Sequence, residues 1–324
     1  MIRSRATLAG LSLGDGLPVA VMGVLNVSPE SFHAGSVVGR DDDLLRAALA
    51  MVGAGAALID VGARSTAPYL PTAISEAEEC LRLVRAVERL VGKLPVPVSA
   101  DTARPAPARA ALEAGARVIN DVSGLRDPAV AALVAQHHAG VILMAAPARA
   151  GGGRASSTTL TVTRPGDSTS PDFKQRAEAT GLRGAPAPGP DPVATVKSVL
   201  GEALERAHTA GIPDERIVVD PGIGFFRNEG VPWDAWDARV LAGLSALGAL
   251  DRPLCVGVSR KSFIGVITGR DGTGERLAGS LAATAVAVWN GAALIRTHDV
   301  PDTLDAVRVA ERLRNAARPY NNGQ

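Results

Sequence analysis

Short apolar runs rich in β-branched residues alternate with longer Ala- and Leu-rich stretches along most of this 324-residue chain. The runs have the length of buried strands, and apolar residues recur between them at the spacing of an amphipathic helix. Eight such runs occur: Val19–Val27, Ala57–Gly62, Val96–Asp101, Val118–Val122, Gly140–Ala145, Ile217–Gly222, Leu254–Ser259 and Ala293–His298. Eight strand–helix units predict a single-domain (β/α)8 barrel over residues 1–324, with a doubly wound open sheet as the alternative.

Three of the runs carry a polar side chain at or near their carboxyl end: Asp101, Asn120 and Asp220. In a barrel the carboxyl ends of the strands meet around one axis, and the active site lies there. Carboxylates accept hydrogen bonds from amines and ring N–H groups, while an amide both donates and accepts. Each of these residues could instead cap the helix that follows it. The three together favour a binding site for a polar heterocycle.

Four segments carry more specific signals: Met22–Phe32 (MGVLNVSPESF), Asp220–Phe225 (DPGIGF), Ser259–Gly265 (SRKSFIG) and Arg296–Asp299 (RTHD). On these motifs the chain resembles the dihydropteroate synthase family, over roughly residues 18 to 315. The resemblance implies a transferase that condenses 6-hydroxymethyl-7,8-dihydropterin diphosphate with an arylamine, such as para-aminobenzoate, and releases diphosphate.

The resemblance also implies a pterin subsite. Asp101, Asn120 and Asp220 would hold the pterin ring, Lys261 would add a charge and a donor, and Ser262 would lie close to the arylamine. The alternative for Lys261 and its neighbour is a solvated basic turn, which is the common fate of adjacent cations.

A second subsite would take the diphosphate. Arg296 offers a planar fork for phosphate oxygens and His298 a further hydrogen bond, and in the family Asn26 lies beside a magnesium ion. We expect Asp299 to cap the helix that follows it. Substrate-contacting positions that keep the family residue in the two loops after the first and second strands are Phe32, Thr66 and Pro68.

The catalysis implied by the resemblance follows from charge. Magnesium, Arg296 and His298 would stabilise the departing diphosphate, the pterin ring would delocalise the cation on its methylene carbon, and the arylamine would attack that carbon.

The chain departs from the family pattern around the arylamine. Ala34 stands where the first loop has Asp, Ala67 where the second loop has Arg, and Arg64 where the second loop has Glu. The first two changes remove both members of an expected charge pair. In addition, Met144–Pro147 lacks the family's Met-His-Met, and Phe226 replaces a glycine. The pterin subsite is spared.

Three functions therefore stay open: a synthase that uses para-aminobenzoate, a paralogue that uses a ribosylated aminobenzene of methanopterin-type cofactors, and a pterin-binding protein without synthase activity. In the second, Arg64 and the insertion described below would accommodate a larger anionic acceptor. The set Lys261, Arg296 and His298 favours diphosphate chemistry. A methyltransferase that uses a methylated folate is more distant, because methyl transfer needs no diphosphate subsite.

Residues 145–191 interrupt the strand–helix alternation with a stretch rich in Gly, Pro, Ser, Thr and Arg. Such a composition buries too little apolar surface to offset the entropy of ordering, so it predicts a mobile insertion. A lid over the barrel mouth is the functional alternative.

Composition limits the partners. With 34 basic and 33 acidic residues the net charge is +1, which indicates small-molecule partners rather than nucleic acid or a membrane surface. The two cysteines form no zinc or disulfide spacing, and no export signal or membrane-length apolar run occurs, so we expect a cytoplasmic protein. Family members are commonly dimers, and Gly279–Trp289 with Leu304–Ala317 would supply a homodimer interface or pack on the barrel.

Overall fold

The computed structural model describes residues 4–27, 41–64, 74–147, 189–227 and 229–317. Two strands, β1 (Arg5–Leu8) and β2 (Leu11–Gly14), form an antiparallel hairpin. Eight parallel strands follow: β3 (Ala20–Asn26), β4 (Leu58–Gly62), β5 (Val98–Asp101), β6 (Val118–Asp121), β7 (Gly140–Met144), β8 (Ile217–Asp220), β9 (Leu254–Gly257) and β10 (Ala292–Thr297). They close a barrel in the order β10-β3-β4-β5-β6-β7-β8-β9.

Helices connect the strands on the outside of the barrel. Those in the described residues are α1 (Asp41–Gly53), α2 (Glu76–Leu90), α3 (Pro105–Glu113), α4 (Pro128–Gln136), α5 (Pro192–Thr209), α6 (Trp233–Ala242), α7 (Ser262–Thr268), α8 (Leu277–Trp289) and α9 (Val300–Ala317). Proline begins α3, α4 and α5, and the last two also have an aspartate cap. Proline suits this position because the first helical N–H has no partner inside the helix.

The closed barrel confirms the predicted fold and excludes the open sheet. All eight predicted strands are present, and no end differs from its prediction by more than two residues. The hairpin at the beginning of the chain was not predicted.

Side chains on each strand alternate between the barrel interior and the helices. Ile59, Ile119 and Val219 belong to the core between strands and helices, whereas Leu58 joins an interior cluster near the amino ends of the strands. Two residues further along β4, Asp60 faces the same interior. The interior is therefore apolar at one end and charged at the other.

The hairpin closes the apolar end. Leu8 and Leu13 are fully buried and pack with Met22 and Leu58 in the interior cluster. A methyl group on Gly140 would lie 2.8 Å from Leu8 Cδ2, so that a glycine is needed at this point for the hairpin to approach β7. This arrangement leaves the carboxyl ends of the strands as the open, polar end.

The ends of the predicted insertion belong to the barrel. Ala145 N donates to Asp220 O at 2.8 Å, and the Asp191 side chain caps α5 by accepting from Val193 N at 3.0 Å. The described residues from 4 to 147 and from 190 to 317 form one compact unit. Residues 148–188 lie outside the described residues, and the lid prediction falls on them.

Candidate active site

Polar side chains from five strands meet at the carboxyl end of the barrel. They are Asp60 on β4, Asp101 on β5, Asn120 on β6, Asp220 on β8 and Arg296 on β10. The three aspartates and the asparagine expose less than a tenth of their surface, whereas the arginine side chain is 23% exposed. The strand-end residues predicted from the sequence are thus brought together.

Arg296 is held by two buried carboxylates. Its Nε donates to Asp60 Oδ2 at 2.8 Å and its Nη2 to Asp101 Oδ2 at 2.9 Å, and Asn120 Nδ2 donates to the same Asp60 oxygen at 3.1 Å. Burial alone would lower the pKa of Arg296, but the two carboxylates outweigh it and raise the pKa. The guanidinium therefore stays charged and fixed in orientation, as recognition of an anion requires.

Asp60 was missed by the sequence reasoning. The available signal was its position in a strand-end Asp-Val-Gly segment, the same kind of place that pointed to Asp101 and Asp220. Asp101 does not cap α3, because its carboxylate binds Arg296 instead. Burial raises the pKa of Asp101, and Arg296 opposes that rise. Within the described residues, one oxygen of Asp60 and one of Asp101 are buried without a hydrogen-bond partner.

Asp220 and Lys261 form the second charged pair of this end. Asp220 Oδ1 accepts from Gly222 N at 2.8 Å, and Lys261 Nζ donates to Ile223 O. Burial raises the pKa of Asp220, opposed by Lys261, and burial lowers the pKa of Lys261, opposed by Asp220. The ammonium also lies 5.2 Å from the ring centroid of Phe225. Lys261 is half-buried and points inward, so the solvated basic turn is wrong for this residue.

Ser262 is bound by an arginine that the sequence reasoning missed. Arg227 Nη2 donates to Ser262 Oγ at 2.8 Å and its Nε to Gly224 O at 3.0 Å, while its guanidinium lies 4.2 Å over the ring of Trp233. The available signal was a cation two positions after Phe225, in the polar segment that follows β8. Arg227 ties the loop after β8 to the beginning of α7.

His298 and Asn26 lie together, as predicted. Ser259 Oγ and His298 Nδ1 are 3.0 Å apart, and Asn26 Nδ2 is 3.5 Å from His298 Nε2. Asn26 Oδ1 lies 3.3 Å from the place that a Cβ on Gly62 would occupy, so the glycine leaves room in front of this oxygen. In the described residues no three His, Cys, Asp or Glu side chains form a metal-binding group. A part-buried amide oxygen such as that of Asn26 is still a ligand type that magnesium accepts, because magnesium keeps several waters.

Asp299 lies directly before α9, where a cap was predicted. Its backbone oxygen accepts from Thr303 N at 3.0 Å, and its carboxylate binds the Arg260 guanidinium through two hydrogen bonds, of 2.9 and 2.5 Å. Arg260 suits the carboxylate because it presents a planar fork to it.

Arg64, the cation in place of a family glutamate, is paired with a buried acid. Glu79 is fully buried and lies 3.1 Å from Arg64 Nε and 3.0 Å from Arg104 Nη1, and it accepts from Thr102 Oγ1 at 2.6 Å. Two cations share one carboxylate, so the cluster keeps a net positive charge. It lies where β4 and β5 end, next to the candidate active site.

Three predicted substrate residues, Phe32, Thr66 and Pro68, lie outside the described residues, as do the altered loop positions Ala34 and Ala67.

Comparison with known proteins agrees with this geometry. The family described as "Pterin binding enzyme" matches residues 22–298. The dihydropteroate synthase of Escherichia coli K12 is 34% identical over 90% of this chain and 90% of its own length. The chain belongs to the dihydropteroate synthase family.

Solved structures of the family have the same fold. The Xanthomonas albilineans synthase with 4-aminobenzoic acid gives a TM-score of 0.74 at 35% identity, covering 96% of this chain and 98% of that one. The Yersinia pestis synthase with a sulfonamide drug gives 0.76 at 32% identity, covering 96% and 99%.

A longer relative, the probable bifunctional folylpolyglutamate synthase/dihydropteroate synthase of Haloferax volcanii, is 36% identical. The match covers 92% of this chain but only 31% of that protein. By its family this chain is a pterin-binding transferase of the dihydropteroate synthase type. None of the helices in the described part of the chain is long and apolar enough to cross a membrane.

Proposed function

We propose that this protein joins 6-hydroxymethyl-7,8-dihydropterin diphosphate to an arylamine. The observation that carries the proposal is the meeting of Arg296 with two buried carboxylates and an amide, beside Lys261 and Asp220, at one end of the barrel. One half of this array suits a heterocycle with several donors, and the other half suits a polyanionic leaving group.

The pterin would bind on the floor of this end. Asp101, Asn120 and Asp220 have acceptor and donor groups for the exocyclic amine and ring nitrogens, and Lys261 donates to a ring acceptor. Because the site is buried, these hydrogen bonds compete little with water.

The diphosphate would bind against Arg296 and His298. The carboxylates orient the guanidinium before the substrate arrives, and Ser259 fixes the imidazole. Such preorganised donors stabilise charge that builds up on the leaving group. Asn26 would hold a magnesium ion, which supplies further positive charge to the diphosphate when it is bound.

The reaction proceeds without a covalent enzyme intermediate. The C–O bond between the pterin methylene carbon and the diphosphate breaks, and its electron pair leaves with the diphosphate. The arylamine nitrogen forms a bond to the same carbon and loses a proton to solvent. Phe32, Thr66, Pro68 and Ser262 would position the arylamine, whose correct placement lowers the barrier further.

The acceptor is the open part of the proposal. The synthase of Xanthomonas albilineans was solved with 4-aminobenzoic acid and with 7,8-dihydropteroate, which supports para-aminobenzoate here. The net positive cluster of Arg64, Arg104 and Glu79 supports instead an acceptor with an additional anionic group, such as a ribosylated aminobenzene phosphate.

The test is diphosphate release by the purified protein with magnesium and the pterin diphosphate. A coupled product with para-aminobenzoate establishes the first acceptor, and coupling only to the ribosylated phosphate establishes the second. If the pterin binds but neither acceptor couples, the transferase proposal fails and a pterin-binding role without synthase activity replaces it. Lys261→Ala and Asp220→Asn should each weaken pterin binding sharply, and unchanged affinity would contradict the pterin subsite.

We also propose a homodimer in the cytoplasm. Val286 and Trp289 on α8 and Val309 and Leu313 on α9 are exposed apolar side chains on two helices that pack together. Exposed apolar patches of this kind are typical of subunit interfaces. The variant Trp289→Asp should shift the molar mass in light scattering to that of a monomer, whereas an unchanged mass would exclude this interface.

The unpaired cysteines, Cys80 and Cys255, support a reducing compartment.

A further inference from the structure

Asp237 is a buried carboxylate on α6, the helix that follows the Asp220 motif. Its side chain is fully buried, and its Oδ1 accepts from Gly224 N at 2.8 Å. Its Oδ2 is also buried and has no hydrogen-bond partner among the described residues. A carboxylate in this position costs free energy unless a positive charge lies near it. The sequence reasoning gave this residue no role.

The turn that Asp237 holds is the same turn that Lys261 contacts. Lys261 Nζ donates to Ile223 O, the carbonyl just before Gly224. A methyl group placed on Gly224 would lie 3.1 Å from Lys261 Cδ and 3.5 Å from Nζ. The lysine therefore lies along the turn whose next N–H is bound to Asp237.

We propose that Asp237 is a positioning residue for Lys261: it fixes the turn that the ammonium binds, and it supplies a buried negative charge that keeps the ammonium protonated. The inference rests on the proposed pterin site, where Lys261 is the donor. Asp237 acts through Lys261 and the turn and does not itself touch the substrate.

Three other charged groups contribute to the field around Lys261. Asp220 from β8 favours the charged ammonium, as does Asp237, while Arg296 from β10 and Arg227 from the loop after β8 oppose it. Cys255 from β9, whose burial raises the pKa of its thiol, is neutral. Burial lowers the pKa of Lys261, so loss of either carboxylate lowers it further. Asp220 lies on the pterin floor, whereas Asp237 lies on α6 and interacts with Lys261 and, more weakly, with Arg227.

The direct test is the titration of Lys261 itself. The chain has only four lysines, Lys93, Lys174, Lys197 and Lys261, so selective carbon-13 labelling at the lysine ε position gives a spectrum in which Lys261→Arg identifies the signal. In Asp237→Asn, which keeps an oxygen for Gly224 N, the midpoint should fall by about one pH unit.

Asp121→Asn is the matched control. Asp121 is equally buried, its Oδ1 accepts from Ser123 N at 2.6 Å, and its Oδ2 has no hydrogen-bond partner in the described part of the chain. It lies on β6, however, and its carboxylate is not bound to the Gly224 turn. The Lys261 midpoint should be unchanged in this variant. An equal midpoint in wild type and Asp237→Asn would overturn the inference, and this readout needs no substrate.

Pterin affinity then separates the inference from the proposed function. Binding of 6-hydroxymethylpterin by Asp237→Asn should match the wild type at a pH below both Lys261 midpoints and fall below the wild type at a pH between the two midpoints, by the ratio of the two protonated fractions. Absence of binding by the wild type would contradict the proposed function while leaving the lysine titration as the test of Asp237. Binding that falls equally at both pH values would show a structural role only and would also overturn the inference.

Discussion

Arg260 and Asp299 form a two-point ion pair that joins the loop after β9 to the loop after β10. Each residue is the chain neighbour of a proposed substrate-binding residue, because Lys261 follows Arg260 and Asp299 follows His298. The pair therefore links the loop of the proposed pterin subsite to the loop of the proposed diphosphate subsite. Arg260 has a positive φ of 57°, a strained backbone for a residue with a side chain, and the ion pair helps to hold it.

Asp299→Asn should reduce kcat/KM for the pterin diphosphate about tenfold to a hundredfold, because it removes the charge from this pair and loosens both subsites together. Steady-state diphosphate release measures the effect. The control is Asp305→Asn, which neutralises an exposed pair with Arg308 at 3.5 Å and should change neither kcat/KM nor the melting temperature. Equal kcat/KM values for the two variants would show that the Arg260–Asp299 ion pair does not matter for catalysis.

The barrel was predictable because its signals are local. Each strand is a short buried run of apolar residues, and each helix has its own apolar spacing and often a proline or aspartate at its start. The hairpin formed by β1 and β2 was not predictable from the sequence, because its two-residue turn is Ala9-Gly10, with φ of 50° and 90°. Turns of this kind usually contain Asn-Gly or Asp-Gly, and alanine is a poor signal for a positive φ.

The candidate site was predictable in part. Residues that end a strand, such as Asp101 and Asp220, could be identified because the fold alone gathers strand ends. The partners of these residues were not, since Asp60 and Arg296 are 236 positions apart and only the closed barrel brings them together. Asp237 was hidden for another reason: it lies inside a helix one residue after Trp236, where a carboxylate looks like a solvated side chain until the packing shows that it is buried.

Asp60→Ala should abolish most of the activity and destabilise the protein. It leaves the buried Arg296 with Asp101 alone and removes the acceptor of Asn120, and breaking a buried pair from one side costs about 3 to 5 kcal/mol. Urea unfolding and kcat/KM measure the two effects. Glu202→Gln, on an exposed pair with Arg206 at 3.8 Å, should change stability by less than about 0.5 kcal/mol. If Asp60→Ala lost as little free energy of unfolding as the control variant, the role assigned to Asp60 would be contradicted.

Asp121→Asn should change how stability depends on pH. Burial raises the pKa of Asp121 above its unfolded value, so its contribution to stability is present below the ordinary aspartate range and is lost as the pH rises through the raised pKa. Replacing it by a neutral side chain of the same shape removes that loss. The stability of the variant relative to wild type, from urea unfolding, should therefore increase from about pH 4 to about pH 8. If the difference in the free energy of unfolding between variant and wild type stayed constant over this range, burial would not perturb the pKa of Asp121.

Gly224→Ala should weaken pterin binding more than its backbone strain explains. Gly224 has a φ of 91°, and an added Cβ would lie 3.1 Å from Lys261 Cδ, which forces the lysine away from Ile223 O. Gly230→Ala is the control because Gly230 also has a positive φ, of 75°, but an added Cβ there meets nothing within 4 Å. Both variants should lose roughly 1 to 2 kcal/mol of stability from the backbone. Only Gly224→Ala should also lose pterin affinity, by about tenfold or more, in a fluorescence titration with 6-hydroxymethylpterin. Equal affinities in the two variants would show that the position of the ammonium, set by this turn, is not what the pterin requires.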